Sequence, residues 1–251
     1  MEFRRKKDDP FNLTTEEIRM TYEDNVLLWY DAINDKIMKN RELKSLAQTF
    51  YQNRNILFVV PLNEDSETLL SRLSLKDKYL PYIEKMTENR KREWLSIRVL
   101  IKELLGEEKE ILYNSSGKPY LSDNSFYIGI SHTKGYAALI LNKENEVAID
   151  IEKISTKVEN VRKRFVSEEE EKALSSSEKF IHLLLLWSAK ESLFKRLGID
   201  DVDFKKHLHI HPFKPVVGEW GAFDADETRT ENQVSFKIKY FVHDDYVLTY
   251  I

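Results

Sequence analysis

Two long amphipathic helices, each associated with a set of short strands, constrain the fold of this chain most. The first helix is predicted over 84–105 and the second over about 179–197, and Gly106 and Gly198 follow them as C-terminal stop signals. Short runs rich in β-branched and aromatic residues, separated by turn residues, are typical of small antiparallel sheets. The repetition of this pattern predicts an α+β protein built from two similar α+β lobes.

The boundaries of these lobes follow from the same pattern. We expect a helical N-terminal extension over 1–54, which a capping box at Thr14–Glu17 would open. The first α+β lobe is then predicted over 55–145, and the second, C-terminal lobe over 146–251.

Composition excludes several classes of function. The 251 residues include 33% charged and 41% hydrophobic residues, which fits a globular protein, and the net charge of −4 does not favour a broad nucleic-acid-binding surface. No cysteine is present, so disulfides, thiolate metal sites and thiol catalysis are excluded. The longest apolar runs are too short to span a bilayer, and the basic N-terminus lacks the apolar segment of a secretory signal. We therefore expect a cytoplasmic, monomeric protein that binds neither nucleic acid nor membrane.

The stretch Val147–Glu152 carries the first candidate site. Its apolar residues predict a buried strand, and Asp150 and Glu152, two residues apart, would point to the same face of that strand. Two carboxylates on one face need a cation, a basic partner or a raised pKa in one of them. A magnesium ion bound to phosphate would explain both, whereas a solvated strand end is the simpler alternative.

The second predicted helix carries another candidate set. Trp187, Glu191 and Lys195 are spaced four residues apart and so share one face, and Lys190 lies next to Glu191. A glutamate with lysine neighbours could act as a general base beside a phosphate. The alternative is an ordinary ion pair on a surface helix, although the adjoining leucines indicate that this helix is largely buried.

Three weaker signals accompany these two. Glu170 lies in an acidic first helical turn, where acidic residues are common without any function. Gly117, Lys118 and Pro119 predict a tight turn with the lysine at its tip, and its alternative is an exposed hairpin loop. Ser131 and His132 end a predicted buried strand, where they could bind phosphate oxygens or form a plain surface turn. Each of these signals is unspecific by itself.

Taken in order, these motifs resemble the Sfp-type 4′-phosphopantetheinyl transferase superfamily over roughly residues 56–251. The ordered set runs from Arg92 through GKP (117–119), ISH (130–132), AIDIE (148–152) and RFVSEEE (164–170) to WSAKESLFK (187–195). The last motif, placed downstream of D-x-E with R-F-x-x-x-E between them, is the most specific part. Ala148 stands where the family usually has glycine, and residues 1–54 have no counterpart that we can place.

This resemblance implies a pseudo-twofold α+β fold that binds coenzyme A between two lobes and transfers its 4′-phosphopantetheine arm to a serine of an acyl or peptidyl carrier protein. It implies Mg²⁺ on Asp150 and Glu152, with Glu170 as a third ligand or the holder of a bound water. Glu191 would be the base, and Lys190 and Lys195 would stabilise the pyrophosphate. The residues implied for coenzyme A are Arg92, Gly117, Lys118, Pro119, Ser131 and His132.

Two alternatives to the transferase belong to other functional classes. One is a Mg²⁺-dependent hydrolase that cleaves a pyrophosphate, which Lys195 and the ordered motifs disfavour. The other is a catalytically silent protein that binds coenzyme A or a carrier protein, which the presence of Asp150, Glu152, Lys190 and Glu191 disfavours.

Overall fold

The computed structural model describes residues 20–23, 26–29, 55–175 and 178–251 of the chain. These residues form two compact units. The first unit contains the described residues up to Tyr113 together with Pro119–Glu146, and the second contains Asn114–Lys118 and Val147–Ile251. Each unit pairs one sheet with one long helix, so the predicted α+β class is confirmed.

The first unit contains a seven-stranded sheet in the order β1-β2-β3-β7-β6-β5-β4. Its neighbouring strands are antiparallel except for the parallel pair β2–β3. The strands are β1 (Met20–Glu23), β2 (Val26–Trp29), β3 (Asn55–Pro61), β4 (Ile111–Tyr113), β5 (Pro119–Leu121), β6 (Tyr127–Thr133) and β7 (Tyr136–Asn142). The helices are α1 (Ser66–Ser71), α2 (Lys76–Ile83) and α3 (Glu88–Leu105).

Helix α3 and the sheet together form the core of this unit. Thr87 caps its N-terminus by accepting a hydrogen bond from the Arg90 N–H, and Gly106 ends it in a left-handed conformation with φ of 76°. Ile97 and Leu100 pack into the core that the sheet provides, together with Phe58 of β3. The predicted helix is therefore present, and it begins four residues later than the sequence pattern indicated.

The N-terminal extension departs from the helical prediction wherever the structure describes it. Residues 20–23 and 26–29 are the strands β1 and β2, and β2 adds to the sheet beside β3. The run VLLW at 26–29 is continuously apolar, and such a run does not distinguish a strand from a buried helix by its periodicity. The predicted capping box at Thr14–Glu17 lies outside the described residues.

The second unit contains a five-stranded antiparallel sheet in the order β8-β12-β11-β10-β9. Its strands are β8 (Ile149–Lys153), β9 (Leu208–Ile210), β10 (Trp220–Glu227), β11 (Ser235–Val242) and β12 (Tyr246–Tyr250). Its helices are α4 (Val158–Val161), a short 3₁₀ turn (Arg162–Arg164), α5 (Glu168–Ala173) and α6 (Lys179–Leu197).

Helix α6 packs along the sheet through two different stripes. Leu183 and Leu185 are fully buried in the apolar core of the unit. Beside them, the hydroxyls of Ser188 and Ser192 lie 3.0 and 2.8 Å from the Thr249 hydroxyl of β12. These small side chains allow a close approach and fix the helix on the edge of the sheet that includes β8. Among the described helices, none combines the length and apolar character needed to cross a membrane.

Candidate functional site

The carboxylates of β8 lie at the centre of the candidate site. Asp150 and Glu152 are two residues apart on the strand, so both side chains project from one face. Asp150 is 4% exposed and Glu152 is half-buried. In the antiparallel pairing Asp150 lies opposite Thr249, which is the residue that holds α6. The pairing of β8 with β12 therefore places this acidic strand beside the helix that carries the predicted base.

Lys195, in the last turn of α6, is bound to the first of these carboxylates. Its ammonium donates to Oδ1 of Asp150 at 2.7 Å and to the Ile149 carbonyl at 3.1 Å. The lysine side chain is 32% exposed, whereas that of Asp150 is 5% exposed. The ion pair therefore joins a buried acid to a base that also reaches the surface.

Trp187, one turn before Glu191 on α6, binds the second carboxylate. Its indole Nε1–H donates to Oε1 of Glu152 at 2.8 Å. The pKa of Glu152 is raised to about 7, chiefly by burial and also by the negative charge of Asp150, while the indole hydrogen bond and Lys195 act in the opposite direction. The spacing of Trp187, Glu191 and Lys195 predicts a shared helix face, but nothing in the sequence indicates that Trp187 contacts Glu152.

Glu191 completes the group. Burial is the largest cause that raises its pKa to about 7, and the charge of Asp150 adds to this while Lys195 opposes it. Glu152 also raises the pKa of Glu191. The structure thus brings together four of the predicted site residues, three of them acidic and one basic, and leaves this region with an excess of negative charge.

Whether a divalent cation can bind here depends on the oxygen ligands that these side chains offer. Among the described residues, no group of three or more His, Cys, Asp or Glu side chains is arranged to hold a metal ion. A protein site for Mg²⁺ commonly supplies only one or two carboxylates, and phosphate oxygens and water complete the coordination. Asp150 and Glu152 meet that requirement, and the raised pKa of Glu152 indicates that further positive charge beside it would be favourable.

Glu170 and Lys190 lie apart from this group and bind each other. The Lys190 ammonium, with a side chain that is 0% exposed, donates to Oε2 of Glu170 at 2.8 Å and to the carbonyls of Phe165 and Phe204 at 2.6 and 2.9 Å. These three acceptors use all three N–H donors of the ammonium. Burial lowers the pKa of Lys190, and the charge of Glu170 counteracts this shift.

The carboxylate oxygens of Glu170 are likewise occupied by hydrogen bonds. Besides Lys190, it accepts hydrogen bonds from the backbone N–H groups of Ser167 and Ile210, and it forms a capping box with Ser167 at the start of α5. These contacts favour a structural role for Glu170 and Lys190, in place of the metal ligand and the pyrophosphate-binding lysine that the resemblance implied.

The predicted Gly-Lys-Pro turn is built around an asparagine. The Asn114 carboxamide oxygen accepts from the backbone N–H groups of Ser116 and Lys118, at 3.1 and 2.8 Å. Gly117 has φ of 79°, a left-handed conformation that glycine adopts without strain. Pro119 begins β5. The turn 114–118 belongs to the second unit, where Ser116 lies near Gly198 at the end of α6.

The remaining predicted residues lie in the first unit. Ser131 and His132 are on β6, with Ser131 buried and His132 more exposed. The His132 ring contacts Arg90 and lies 3.4 Å from the carboxylate of Glu93, both on α3. Arg92 donates from Nε to the Glu64 carbonyl at 3.0 Å. Arg90 and Glu93 therefore join the predicted set as neighbours of His132.

Comparisons with known proteins agree with the motifs of the second unit. Residues 146–251 match the family model of the 4′-phosphopantetheinyl transferase superfamily. The chain is 28% identical over 115 residues to the 4′-phosphopantetheinyl transferase AcpT of Escherichia coli O157:H7, which covers 43% of this chain and 59% of that relative. It is 29% identical over 115 residues to AcpT of Salmonella typhimurium, with 43% and 60% covered. The chain thus spans about three fifths of these relatives, and the predicted resemblance to the superfamily is confirmed for residues 146–251.

The carboxylates with raised pKa values should make stability depend on pH. The pKa of Glu152 rises from 4.5 to about 7 on folding, so the folded state binds more protons than the unfolded state between these values. The stability that protonated Glu152 contributes is therefore lost as the pH rises from about 4.5 to about 7. We therefore expect the free energy of unfolding of Glu152→Gln, measured in EDTA, to increase relative to that of the wild type as the pH rises through this window. Urea unfolding at several pH values measures the difference, and a constant difference would contradict the expectation.

The buried pair should be essential for folding rather than for chemistry. Lys190→Met leaves the Glu170 carboxylate buried without its cation, and we expect it to lower the free energy of unfolding by about 3–5 kcal/mol. The double variant Lys190→Met/Glu170→Gln removes both charges and should recover a large part of this loss in urea unfolding. A Lys190→Met protein with wild-type stability and no catalytic activity would instead show that Lys190 acts on the substrate.

Proposed function

We propose, from the resemblance of residues 146–251 to the 4′-phosphopantetheinyl transferase superfamily, that this protein transfers 4′-phosphopantetheine from coenzyme A to a serine of an acyl or peptidyl carrier protein. The observation that carries the proposal is the group formed by Asp150, Glu152, Glu191 and Lys195. It combines a glutamate whose pKa suits a base, a lysine ammonium and two carboxylates that suit a hard metal ion, all within one unit.

The reaction requires charge neutralisation and alignment more than covalent assistance. The serine oxygen attacks the phosphorus next to the pantetheine arm and forms a new P–O bond. The P–O bond to the second phosphate of the pyrophosphate breaks, and adenosine 3′,5′-bisphosphate leaves with the electron pair. The proton of the serine hydroxyl must pass to a base.

Glu191 is suited to receive that proton. General bases work best when their pKa lies near the working pH, and burial together with the Asp150 charge brings the pKa of Glu191 to about 7. The carboxylate accepts the proton from the serine directly or through a water molecule. A glutamate in free solution would be a weaker base, so the burial of this side chain has a catalytic consequence.

Asp150 and Glu152 would hold Mg²⁺, and Lys195 would add a positive charge beside them. When bound, Mg²⁺ supplies positive charge that neutralises the pyrophosphate. Lys195 is paired with Asp150 and partly exposed, which supports a role in binding a phosphate oxygen as well. Glu170 and Lys190 are not included in this site, because their hydrogen-bonding groups are engaged with each other and with the backbone.

The residues proposed to bind coenzyme A are Arg92, Gly117, Lys118, Pro119, Ser131 and His132. The basic groups among them match the phosphates of coenzyme A in charge. The rigid turn 114–118 holds the backbone around Lys118 in one conformation, which favours a defined placement of its side chain.

A transfer assay tests the proposal directly. Coenzyme A with a fluorescent label on its thiol is incubated with Mg²⁺ and with apo carrier proteins from fatty-acid synthesis and from peptide synthesis in parallel. We expect label on a carrier serine. Free labelled phosphopantetheine without labelled carrier would support a hydrolase, and binding of coenzyme A without any turnover would support a silent binding protein.

Substitutions in the site should remove transfer without unfolding the protein. Glu191→Gln removes the base and should lower turnover by roughly 10²- to 10⁴-fold, and Asp150→Asn should also abolish efficient transfer because a metal ligand is lost. His209→Ala, in β9 of the same unit, serves as the control and should keep wild-type turnover. Near-native turnover of Glu191→Gln or Asp150→Asn at saturating Mg²⁺ would refute the assignment of the site.

A further inference from the structure

The indole of Trp187 connects the core of the second unit to the carboxylate of Glu152. Its Nε1–H lies 2.8 Å from Oε1 of Glu152, which is 35 residues away in the chain. A phenylalanine could fill much of the same apolar space, but it has no N–H to donate. The contact with Glu152 therefore gives a specific reason for a tryptophan at this position.

Two aromatic rings hold the indole in place. Phe165 packs edge-on against Trp187, with ring centroids 5.1 Å apart and planes at 63°. Phe204 lies 5.7 Å from Trp187 with planes at 36°. Phe165 is fully buried, so the indole has a rigid support on that side. These contacts restrict the rotation of Trp187 and hence the direction of its N–H.

Lys190 fixes the two segments that carry these rings. Its ammonium donates to the backbone carbonyls of both Phe165 and Phe204, at 2.6 and 2.9 Å. Lys190 is also three residues after Trp187 on α6, so the same helix presents the indole and anchors its two supports. The ion pair with Glu170 compensates the charge that this arrangement buries.

We infer that Trp187 is a positioning residue that orients Glu152 for a divalent cation, held by Phe165 and Phe204 and, through their carbonyls, by Lys190. The inference rests on the proposed function, because it assumes that Glu152 binds the metal. The N–H uses one lone pair of Oε1 and fixes the carboxylate plane, so Oε2 keeps both of its lone pairs for the cation. Hydrogen bonds to metal-binding carboxylates commonly set their orientation in this way.

Direct metal binding tests the inference independently of catalysis. Mn²⁺ is titrated into the full chain without coenzyme A, and free Mn²⁺ is measured by electron paramagnetic resonance. We expect Trp187→Phe, which keeps an aromatic ring and removes the N–H, to weaken Mn²⁺ binding by roughly 10- to 100-fold. Trp220→Phe is the matched control, since Trp220 lies in the same unit and packs against Phe241 and Tyr250, and it should bind Mn²⁺ as the wild type does.

A second variant keeps the donor and changes its support. Phe204→Leu removes one supporting ring and should weaken Mn²⁺ binding in the same direction, by a smaller factor than Trp187→Phe. Urea unfolding of each variant establishes that the folded state is populated under the titration conditions. If Trp187→Phe does not fold, Phe204→Leu decides the question, and wild-type Mn²⁺ affinity in that variant overturns the inference.

The Glu152→Gln variant distinguishes a failure of the positioning role of Trp187 from a failure of the proposed metal site. If Glu152→Gln binds Mn²⁺ weakly while Trp187→Phe binds it like the wild type, the positioning role is refuted and the proposed metal site remains. If Glu152→Gln and Asp150→Asn both bind Mn²⁺ as the wild type does, the metal site itself is refuted, and the role of Trp187 with it.

Discussion

The attachment of α6 to the β8–β12 edge of the sheet is the constraint on which the candidate site depends. Ser188 and Ser192 reach the hydroxyl of Thr249, and Thr249 is the cross-strand neighbour of Asp150. Because side chains four residues apart share a helix face, fixing these serines also fixes the stripe beside them. The side chains of that neighbouring stripe, including Lys195, therefore meet the carboxylates of β8 without needing a loop to position them.

The burial of several carboxylates in this arrangement is unfavourable, and the same burial raises the pKa values of two of them into the range that proton transfer requires. Burying Asp150, Glu152 and Glu191 near one another opposes ionisation, which is why the pKa values of both glutamates rise to about 7. Lys195 compensates part of the negative charge through its contact with Asp150. A site built in this way is less stable by itself than with an added cation. The same imbalance provides a base whose pKa suits proton transfer near neutral pH.

The sequence predicted the elements whose signals are local. Helix α3 with Gly106 at its end and the end of α6 at Gly198 follow from periodicity and C-terminal stop signals, and the structure contains both. The strand β8 was likewise predicted, because its apolar run is uninterrupted except at the two acidic positions. In these segments, local preference and tertiary packing favour the same structure.

Features that depend on distant partners were not predictable. The strand β10 begins only at Trp220, and upstream of it Val216 donates its N–H to the Tyr240 hydroxyl on β11. Arg98 of α3 carries a charge that would favour solvent, yet it is 3% exposed and its guanidinium lies 3.0 Å from the centre of the Trp94 ring. The partner of each group lies on another element or is selected by packing, so neither charge nor periodicity reveals it.

Lys190 and Glu191 illustrate why a motif does not by itself assign roles. Adjacent residues on a helix point about 100° apart, so the two side chains of this Lys-Glu pair must face different surroundings. Lys190 turns into the protein, where backbone carbonyls and Glu170 take all of its donors. Glu191 turns toward the carboxylates of β8, where its ionisation is coupled to theirs. One short motif thus contains a residue that builds the scaffold and a residue placed for chemistry, and the direction of each side chain distinguishes them.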